Sequence, residues 1–370
     1  MENLIPGLPE DIAVECLVRL PHQSFSHLRR VCRRWKQELD SPLFHRFRRS
    51  AGFSRSFLVL AQADPPAAIA GGPAHKHSAS FPSYRLALLD PSTGEWDSLP
   101  QIPASSGGIP LFCGLAAAGR ELVVVGGWDP DTWVASDSVY IYNFIAGAWR
   151  HGRPMPGPRR SFFACAGSSS GLVFVAGGHD EEKNALRSAY AYDVARDEWA
   201  QLPDMARERD ECAGMFIAGG GAGLFRVVGG YSTAMQGRFD RSGEEFDTIN
   251  WKWQPVEEAA MDAEESPRSC AAGRDGRMYL CSSSGRVVSA AEGEGWKMVA
   301  EVPEDAMVAA QMVACGGSLV VMGAGSHGMA PSAYVLELKQ ARGWSAAEWR
   351  RLEMPPEYSG HVHGGCCFEI

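Results

Sequence analysis

The sequence has no long run of apolar residues and no export signal. No stretch approaches the ~20 consecutive apolar residues of a membrane-spanning helix, and Met1 through Asp11 lacks a basic segment followed by an apolar one. None of the four asparagines lies in an N-x-Ser/Thr glycosylation sequon. We therefore expect a protein that is neither secreted nor membrane-bound and that works in the cytoplasm, the nucleus or both.

The sequence also lacks the cysteine spacing of a metal site or a disulfide framework. It has ten cysteines but no C-x-x-C pair, and a chain of 370 residues can bury a core without covalent cross-links. We interpret the cysteines as reduced thiols that pack as small apolar residues. His361 and His363 could hold a metal on one strand face, but no third ligand has recognisable spacing. We expect no metal and no cofactor.

An excess of positive charge, the usual mark of nucleic-acid binding, is missing. The 35 Lys and Arg residues stand against 44 Asp and Glu residues, a net charge of -9, so we expect no nucleic-acid partner. The charge is unevenly distributed, because residues 1–49 carry +3 and residues 50–370 carry -12. The chain therefore divides into two regions of different character.

A repeat of about 50 residues runs through the second region. Three apolar segments end in Gly-Gly, at Gly126-Gly127, Gly177-Gly178 and Gly229-Gly230, and a tryptophan follows each pair after 21 to 23 residues. Six tryptophans recur at intervals of 43 to 54 residues: Trp96, Trp149, Trp199, Trp253, Trp296 and Trp349. A cysteine follows each tryptophan by 13 to 19 residues: Cys113, Cys165, Cys212, Cys270, Cys315 and Cys366. The spacing predicts six structural units.

This pattern resembles the kelch repeat over residues 57–369, and the resemblance implies a six-bladed β-propeller with four strands in each blade. Glycine suits the crowded strand ends, and each tryptophan would pack between neighbouring blades. The first unit lacks an innermost strand, whereas Ser359–Glu369 matches the strand that follows Arg160. We expect this C-terminal strand to complete the first blade and close the ring. An irregular β-sandwich with chance tryptophan spacing is the alternative.

Residues 1–49 form a helical head in this interpretation, joined by a linker at 50–56 to a propeller at 57–370. Apolar residues recur at helical spacing from Ile12 to Leu20 and from Phe25 to Leu39, and Ser41-Pro42 can begin a third helix. Three short helices make too small a core to bury all of these side chains. Some of them must face a partner, or the head must pack onto the propeller as a cap.

The head resembles the F-box in its Leu8-Pro9-Glu10-Asp11 opening, its Leu20-Pro21 break and the segment from Leu28 to Trp35. The resemblance implies docking onto the Skp-type adaptor of a cullin-RING ubiquitin ligase. Matching positions give the adaptor-facing residues as Leu8, Pro9, Ile12, Cys16, Leu17, Leu20, Pro21, Leu28, Val31 and Trp35.

The connections between the predicted strands differ in length on the two faces of the propeller. One face, the short-turn face, has turns such as Ala118–Arg120 and Ser92–Glu95, whereas the opposite long-loop face has loops such as Trp128–Asp137 and His179–Arg187. Long loops on a rigid scaffold usually carry recognition, and arginine is enriched at binding hot spots. Six arginines on the long-loop face are the substrate-binding candidates: Arg159, Arg160, Arg187, Arg207, Arg209 and Arg268.

No catalytic residue is predicted. Gly167–Gly171 matches G-x-S-x-G, but it lies between two predicted strands and not at a strand-to-helix turn. The plan of one F-box followed by kelch blades resembles the plant F-box/kelch proteins. The resemblance implies a non-catalytic substrate receptor that directs a target protein to the proteasome. It suggests phenylalanine ammonia-lyase as the leading target class, whose degradation would lower phenylpropanoid output. A propeller-scaffold enzyme and a cytoskeletal kelch scaffold are the alternatives.

Overall fold

Four short helices form the head in the computed structural model, which describes residues 3–65, 83–103, 108–218, 223–291, 293–338 and 348–370, without the side chain of Arg268. The helices are α1 (Glu10–Val18), α2 (Phe25–Leu28), α3 (Arg33–Asp40) and α4 (Pro42–Ser50). The second predicted helix is divided because Cys32 adopts an extended backbone and its sulfur caps α3, whereas Ser41 caps α4 as expected. Among the described residues, no helix is long and apolar enough to cross a membrane.

Twenty-four strands follow the head in the described part of the chain. In chain order they are β1 (Ser56–Ala63), β2 (Tyr84–Leu89), β3 (Trp96–Ser98), β4 (Gly114–Ala118), β5 (Glu121–Val125), β6 (Val139–Asn143), β7 (Ala148–Gly152), β8 (Ala164–Gly167), β9 (Leu172–Ala176), β10 (Ala189–Asp193), β11 (Glu198–Gln201), β12 (Ala213–Ala218), β13 (Gly223–Val228), β14 (Gly243–Asp247), β15 (Lys252–Trp253), β16 (Cys270–Ala272), β17 (Met278–Cys281), β18 (Arg286–Ala290), β19 (Lys297–Glu301), β20 (Val308–Cys315), β21 (Ser318–Ala324), β22 (Ser332–Glu337), β23 (Arg350–Leu352) and β24 (Val362–Glu369). They form six antiparallel four-stranded sheets, the blades. The predicted mainly-β, six-bladed propeller with a small helical head is confirmed.

The first blade is completed by the C-terminal strand, as predicted. Its strand order is β24-β1-β2-β3, and β24 pairs with β1 from Ser56 opposite Glu369 to Gln62 opposite Val362. Arg55 and Ile370 extend the pairing, because their backbone N–H groups donate to each other's carbonyls at 2.7 and 3.0 Å. The C-terminal strand therefore covers the edge of β1 that would otherwise be unpaired and closes the ring.

The repeated glycines and tryptophans have the structural roles that the sequence suggested. Gly127 has a φ of 87°, and a Cβ there would lie 2.6 Å from the carbonyl oxygen of Leu111, so only glycine fits. Five repeat tryptophans donate their indole N–H to a carbonyl of the preceding blade or its connection, at 2.7 to 3.0 Å: Trp96 to Glu353, Trp149 to Pro100, Trp199 to Arg153, Trp253 to Pro203 and Trp349 to Glu301. Five of the six junctions between neighbouring blades therefore share the same contact.

The head packs on the short-turn face of the propeller, over the first two blades. Its buried residues belong to one core with Phe57, Phe144 and Phe368 of the propeller. Burial lowers the pKa of His22 to about 4, so the neutral ring packs edge-on against Phe57 at 4.7 Å. Arg120 also donates to the carbonyl of Asp40 at 2.7 Å. The two regions therefore share a core, as the cap alternative expected.

The interpretation of all ten cysteines as reduced thiols is wrong for one pair. Cys315, the last residue of β20, and Cys367, on β24, are joined by a disulfide, with their Cα atoms 5.1 Å apart. They lie 52 residues apart in sequence but on adjacent innermost strands, because β24 completes the first blade beside the sixth. The sequence did not reveal the pair because Cys366, and not Cys367, continues the series of regularly spaced cysteines.

Candidate functional site

Five of the predicted adaptor-facing residues are exposed, and they are the first candidate surface. Ile12 is 42% exposed and Val31 is 60% exposed, and Pro9, Cys16 and Pro21 are also exposed. Ile12 and Cys16 lie four residues apart on α1 and therefore share one face of the helix. We call these five residues the adaptor patch. Their role in binding an adaptor stays a prediction.

The other adaptor candidates hold the head together to different degrees. Leu8, Leu20, Leu28 and Trp35 are half-buried and pack against the head's core, and the Trp35 indole N–H donates to the Leu4 carbonyl at 2.7 Å. The prediction that Leu17 faces the adaptor is wrong, because its side chain is only 1% exposed. Its position in the helical stripe reflects core packing.

Two of the arginines that were predicted to bind a substrate are fully buried. Arg160 is 0% exposed, and its guanidinium donates to the carbonyls of Gly177 and Ser188 at 3.1 and 3.0 Å and to the Ser188 hydroxyl at 2.9 Å. These bonds satisfy carbonyls at the Gly-Gly corner of the third blade. The prediction that Arg160 contacts a substrate is therefore wrong, and its role is structural.

Arg209 has the same role in the fourth blade. It is 1% exposed and donates to the carbonyls of Gly229 and Ser242 at 2.8 and 3.1 Å. It also forms a buried ion pair with Glu244 at 3.2 Å. The prediction that Arg209 contacts a substrate is wrong for the same reason: the side chain cannot reach a partner.

Replacing Arg209 by methionine is expected to destabilise the fold by about 3–5 kcal/mol, because the Glu244 carboxylate would stay buried without its cation. Arg207 is the matched control, since its half-exposed ion pairs with Asp240 and Glu258, at 3.0 and 2.7 Å, contribute at most about 1 kcal/mol. Urea unfolding of both variants measures the difference. Equal losses from Arg209→Met and Arg207→Ala would contradict the assignment.

The remaining predicted arginines differ in accessibility. Arg159 is exposed, and Arg187 is exposed beside Asp204, with an ion pair at 3.3 Å. Arg207 is half-buried and paired on both sides. The side chain of Arg268 lies outside the described residues. Arg159, Arg187 and Arg207 therefore remain candidates for contact with a partner on the long-loop face.

Sequence reasoning missed an aromatic row at the centre of the long-loop face. Ring centroids are 4.4 Å apart between Tyr84 and His363, 4.7 Å between His363 and Phe112, 4.9 Å between Phe112 and Phe162, and 5.6 Å between Phe162 and His179. We call these five residues the aromatic row. It crosses the first three blades beside the innermost strands, and aromatic side chains are enriched at interface cores.

The backbone holds two members of the row in an unusual conformation. Phe112 and Phe162 both have a φ of 55°, a region that bulky residues rarely adopt, and Glu211, at the equivalent place before β12, has a φ of 50°. Both occupy the same place in their repeats, just before the innermost strand. An aromatic residue at this place in two consecutive repeats was the signal in the sequence, but its backbone strain is visible only in the structure.

An oriented histidine ends the row in the third blade. His179 is buried, and its Nδ1 lies 2.9 and 3.0 Å from the two carboxylate oxygens of Asp210. The pair fixes the ring that packs beside Phe162. A second carboxylate, that of Glu211, follows Asp210 in the sequence and accepts a hydrogen bond from the Tyr231 hydroxyl at 3.0 Å. The centre of the long-loop face is thus aromatic with an acidic border on this side.

The motifs that pointed to catalysis lie in structural positions. Gly167–Gly171 spans the hairpin turn between β8 and β9, and Ser168 is buried there, with its hydroxyl 2.8 Å from that of Ser170. A strand-to-helix nucleophile elbow is therefore not formed at this sequence. Within the described ranges, no group of three or more His, Cys, Asp or Glu side chains is arranged to hold a metal ion.

Comparison with known proteins decides the family. Residues 5–47 match the F-box domain, and residues 111–156 and 160–206 match the Kelch motif. The F-box/kelch-repeat protein At1g15670 of Arabidopsis thaliana is 42% identical over 373 residues, covering 100% of both chains. The chain belongs to the F-box/kelch-repeat proteins. F-box/kelch-repeat protein At1g80440 of the same plant is 41% identical, again over 100% of both chains.

A third relative shares most of the length. The F-box/kelch-repeat protein SKIP20 of Arabidopsis thaliana is 39% identical over 297 residues, which is 72% of this chain and 69% of the relative. An F-box implies binding of a Skp-type adaptor, and a kelch propeller implies binding of a substrate. The adaptor patch and the long-loop face remain the predicted surfaces for these two partners.

Proposed function

We propose that this F-box/kelch-repeat protein is a non-catalytic substrate receptor of an SCF ubiquitin ligase, working in the cytoplasm, the nucleus or both. The adaptor patch binds the Skp-type adaptor and through it the cullin, and the long-loop face binds the target protein. The observation that carries this proposal is the placement of the two surfaces: the head sits on the short-turn face, whereas the aromatic row lies on the opposite face. A target would be held near the ubiquitin-charged enzyme, so the contribution is proximity and orientation.

The shared core of head and propeller supports this mechanism. Residues 51–55 are all that separates α4 from β1, and Arg49 of the head forms an ion pair with Glu369 of the closing strand at 2.9 Å. A receptor in which the adaptor-binding part and the target-binding part are rigidly joined holds its target in a fixed orientation. Such positioning is the part of the reaction that a non-catalytic subunit supplies.

We further propose phenylalanine ammonia-lyase as the target, with cytokinin-response regulators as the second class. Support comes from the resemblance to the plant F-box/kelch proteins, a family to which the chain belongs by its full-length similarity to two Arabidopsis members. Proteasomal degradation of the lyase would lower phenylpropanoid output. The half-buried Phe112 and Phe162 of the aromatic row and the exposed Arg159 supply the apolar contacts and the charge that protein-binding surfaces use.

A reconstituted ubiquitination reaction tests both parts of this proposal. The full-length protein, the adaptor, the cullin-RING module and the activating and conjugating enzymes are mixed with phenylalanine ammonia-lyase or a cytokinin-response regulator. We expect ubiquitin chains on the lyase and about a tenfold loss of rate in an Arg159→Glu/Arg207→Glu variant, which alters the long-loop face. Arg196→Glu is the matched control, because Arg196 is 78% exposed in a turn of the short-turn face.

The outcomes separate the target from the receptor role. Chains on the regulator alone would reject the lyase as the target. Incorporation of the protein into the adaptor complex without ubiquitination of either candidate would leave the receptor role and reject both targets. An unchanged rate in the Arg159→Glu/Arg207→Glu variant would place substrate binding on another surface.

A further inference from the structure

The disulfide between Cys315 and Cys367 lies at the seam where the ring closes. Cys315 ends the innermost strand of the sixth blade, and Cys367 lies on β24, the innermost strand of the first blade. Their Cα atoms are 5.1 Å apart, within the range that a disulfide requires. The bond therefore ties the strand that completes the ring to the neighbouring blade, independently of the hydrogen bonds between β24 and β1.

The two strands pack closely around this bond. Cys315 is buried in the apolar interface of the sixth and first blades, and Cys367 packs against the same cluster. A Cβ on Gly316, the next residue along, would lie 3.1 Å from the Ser56 side chain at the start of β1. The seam is therefore closely packed around the two sulfurs.

Small molecules can reach the pair from a cavity. Both cysteines line a cavity of about 1120 Å³ that opens on the short-turn face beside α4 and runs between the innermost strands. Cys367 is the more accessible of the two, because it is half-buried whereas Cys315 is only 3% exposed. Disulfides that solvent can reach are the ones that reductants open.

The other cysteines near the axis are in a different environment. Burial raises the pKa values of Cys113 and Cys366 to about 12, which suppresses the reactive thiolate. Cys366 is the immediate neighbour of Cys367 on β24, yet its side chain packs toward the first and second blades. Adjacent positions of one strand thus offer one cysteine with a partner and one that stays a free thiol.

We propose that Cys315 and Cys367 form a reversible redox site that fastens the closing strand of the propeller. A peroxide is the oxidant: the Cys367 thiol attacks a peroxide oxygen, which yields a sulfenic acid and releases water or an alcohol. The Cys315 thiol then attacks that sulfur, the S–S bond forms, and a water leaves with the sulfenic oxygen. The two thiols supply both electrons, and a dithiol reductant restores them by exchange. This inference does not depend on the proposed function.

Peptide mapping of the full-length protein tests the site. The protein is reduced, treated with hydrogen peroxide, alkylated and digested without reductant. We expect one cross-linked peptide pair containing Cys315 and Cys367, two hydrogens lighter than the separate thiol peptides, that disappears after treatment with dithiothreitol. Complete alkylation of both cysteines after peroxide treatment would overturn the proposal, and so would a cross-link of either one to a different cysteine.

Thermal unfolding tests whether the bond fastens the closing strand. The oxidised protein is expected to unfold about 5 °C above the reduced protein, and amide exchange in residues 362–369 should be slower. Cys315→Ala and Cys367→Ala should remove this difference, whereas Cys366→Ala, the matched control on the same strand, should retain it. A difference that survives in Cys315→Ala would overturn the proposal. Peptide mapping of the unaltered chain decides the matter if an alanine variant fails to fold.

Discussion

Removal of residues 360–370 is expected to leave the protein unfolded or aggregated. The truncation deletes β24, whose pairing with β1 runs from Ser56 to Gln62, and exposes the backbone edge of β1. It also removes Val362, Phe368 and Ile370, which are 3%, 1% and 3% exposed. Each such side chain contributes about 1.5–3 kcal/mol of burial, and a domain has only about 5–15 kcal/mol of total stability.

Soluble yield and circular dichroism melting measure this effect. Phe368→Ala is the graded form of the same test, and we expect it to cost about 3–5 kcal/mol because the ring stacks on Phe144 at a centroid distance of 4.0 Å. Loss of Phe368 should also loosen the head, since both rings belong to the core that head and propeller share. A truncated protein that melts at the temperature of the full chain would show that β24 does not close the ring.

The propeller could be predicted from the sequence because its signals are local. The roles of Gly126-Gly127 and Trp149 depend on their immediate surroundings. The glycines adopt a backbone conformation that a Cβ would block, and the Trp149 indole N–H donates to the carbonyl of Pro100 at 2.8 Å. The tryptophan recurs in all six repeats and the Gly-Gly pair in three of them, so the tryptophan spacing predicts the number of blades. The closing strand could be predicted for the same reason, since only one repeat lacked its innermost strand.

The candidate sites could be predicted only in part because burial is decided by tertiary packing. Ile12 and Leu17 belong to one helical stripe, yet Ile12 is 42% exposed and Leu17 is 1% exposed. The difference arises because Leu17 lies in the core that the head shares with the propeller. Arg160 and Arg209 were expected at the surface because arginine usually is. The two arginines occupy equivalent places in two repeats, which favours a structural role. Their hydrogen bonds to the carbonyls of Gly177 and Gly229 show that role.

The same limit applies to features that join distant parts of the chain. The aromatic row brings together Tyr84, Phe112 and His363 from three separate stretches of sequence. No periodicity in the sequence places these rings side by side, because their contact depends on how the first and second blades meet. The disulfide of Cys315 and Cys367 depends in the same way on how β24 lies beside β20, which places Cys367 and not Cys366 next to Cys315.

Replacing Ile12 and Val31 together by aspartate is expected to weaken adaptor binding about 100-fold or more. Both side chains are exposed and apolar, and a docked adaptor would bury an unpaired carboxylate at each place, with a loss in the range of interface hot spots. Because neither side chain belongs to the buried core, the melting temperature of the isolated protein should stay within about 2 °C of the original.

Leu17→Ala is the matched control on α1, because it creates a cavity in the head's core and is expected to cost about 2–5 kcal/mol of stability without altering the adaptor patch. Surface plasmon resonance with the adaptor and thermal melting separate the two effects. The double aspartate variant should lose affinity at full stability, whereas Leu17→Ala should lose stability first and affinity only as the head unfolds. Undiminished binding by Ile12→Asp/Val31→Asp would remove the adaptor patch from the interface. A pull-down of the adaptor with the Leu8→Ala/Pro9→Ala variant is a parallel test, and we expect this variant to capture less adaptor than the unaltered protein. Its result shows whether the first residues of the F-box contribute to adaptor binding.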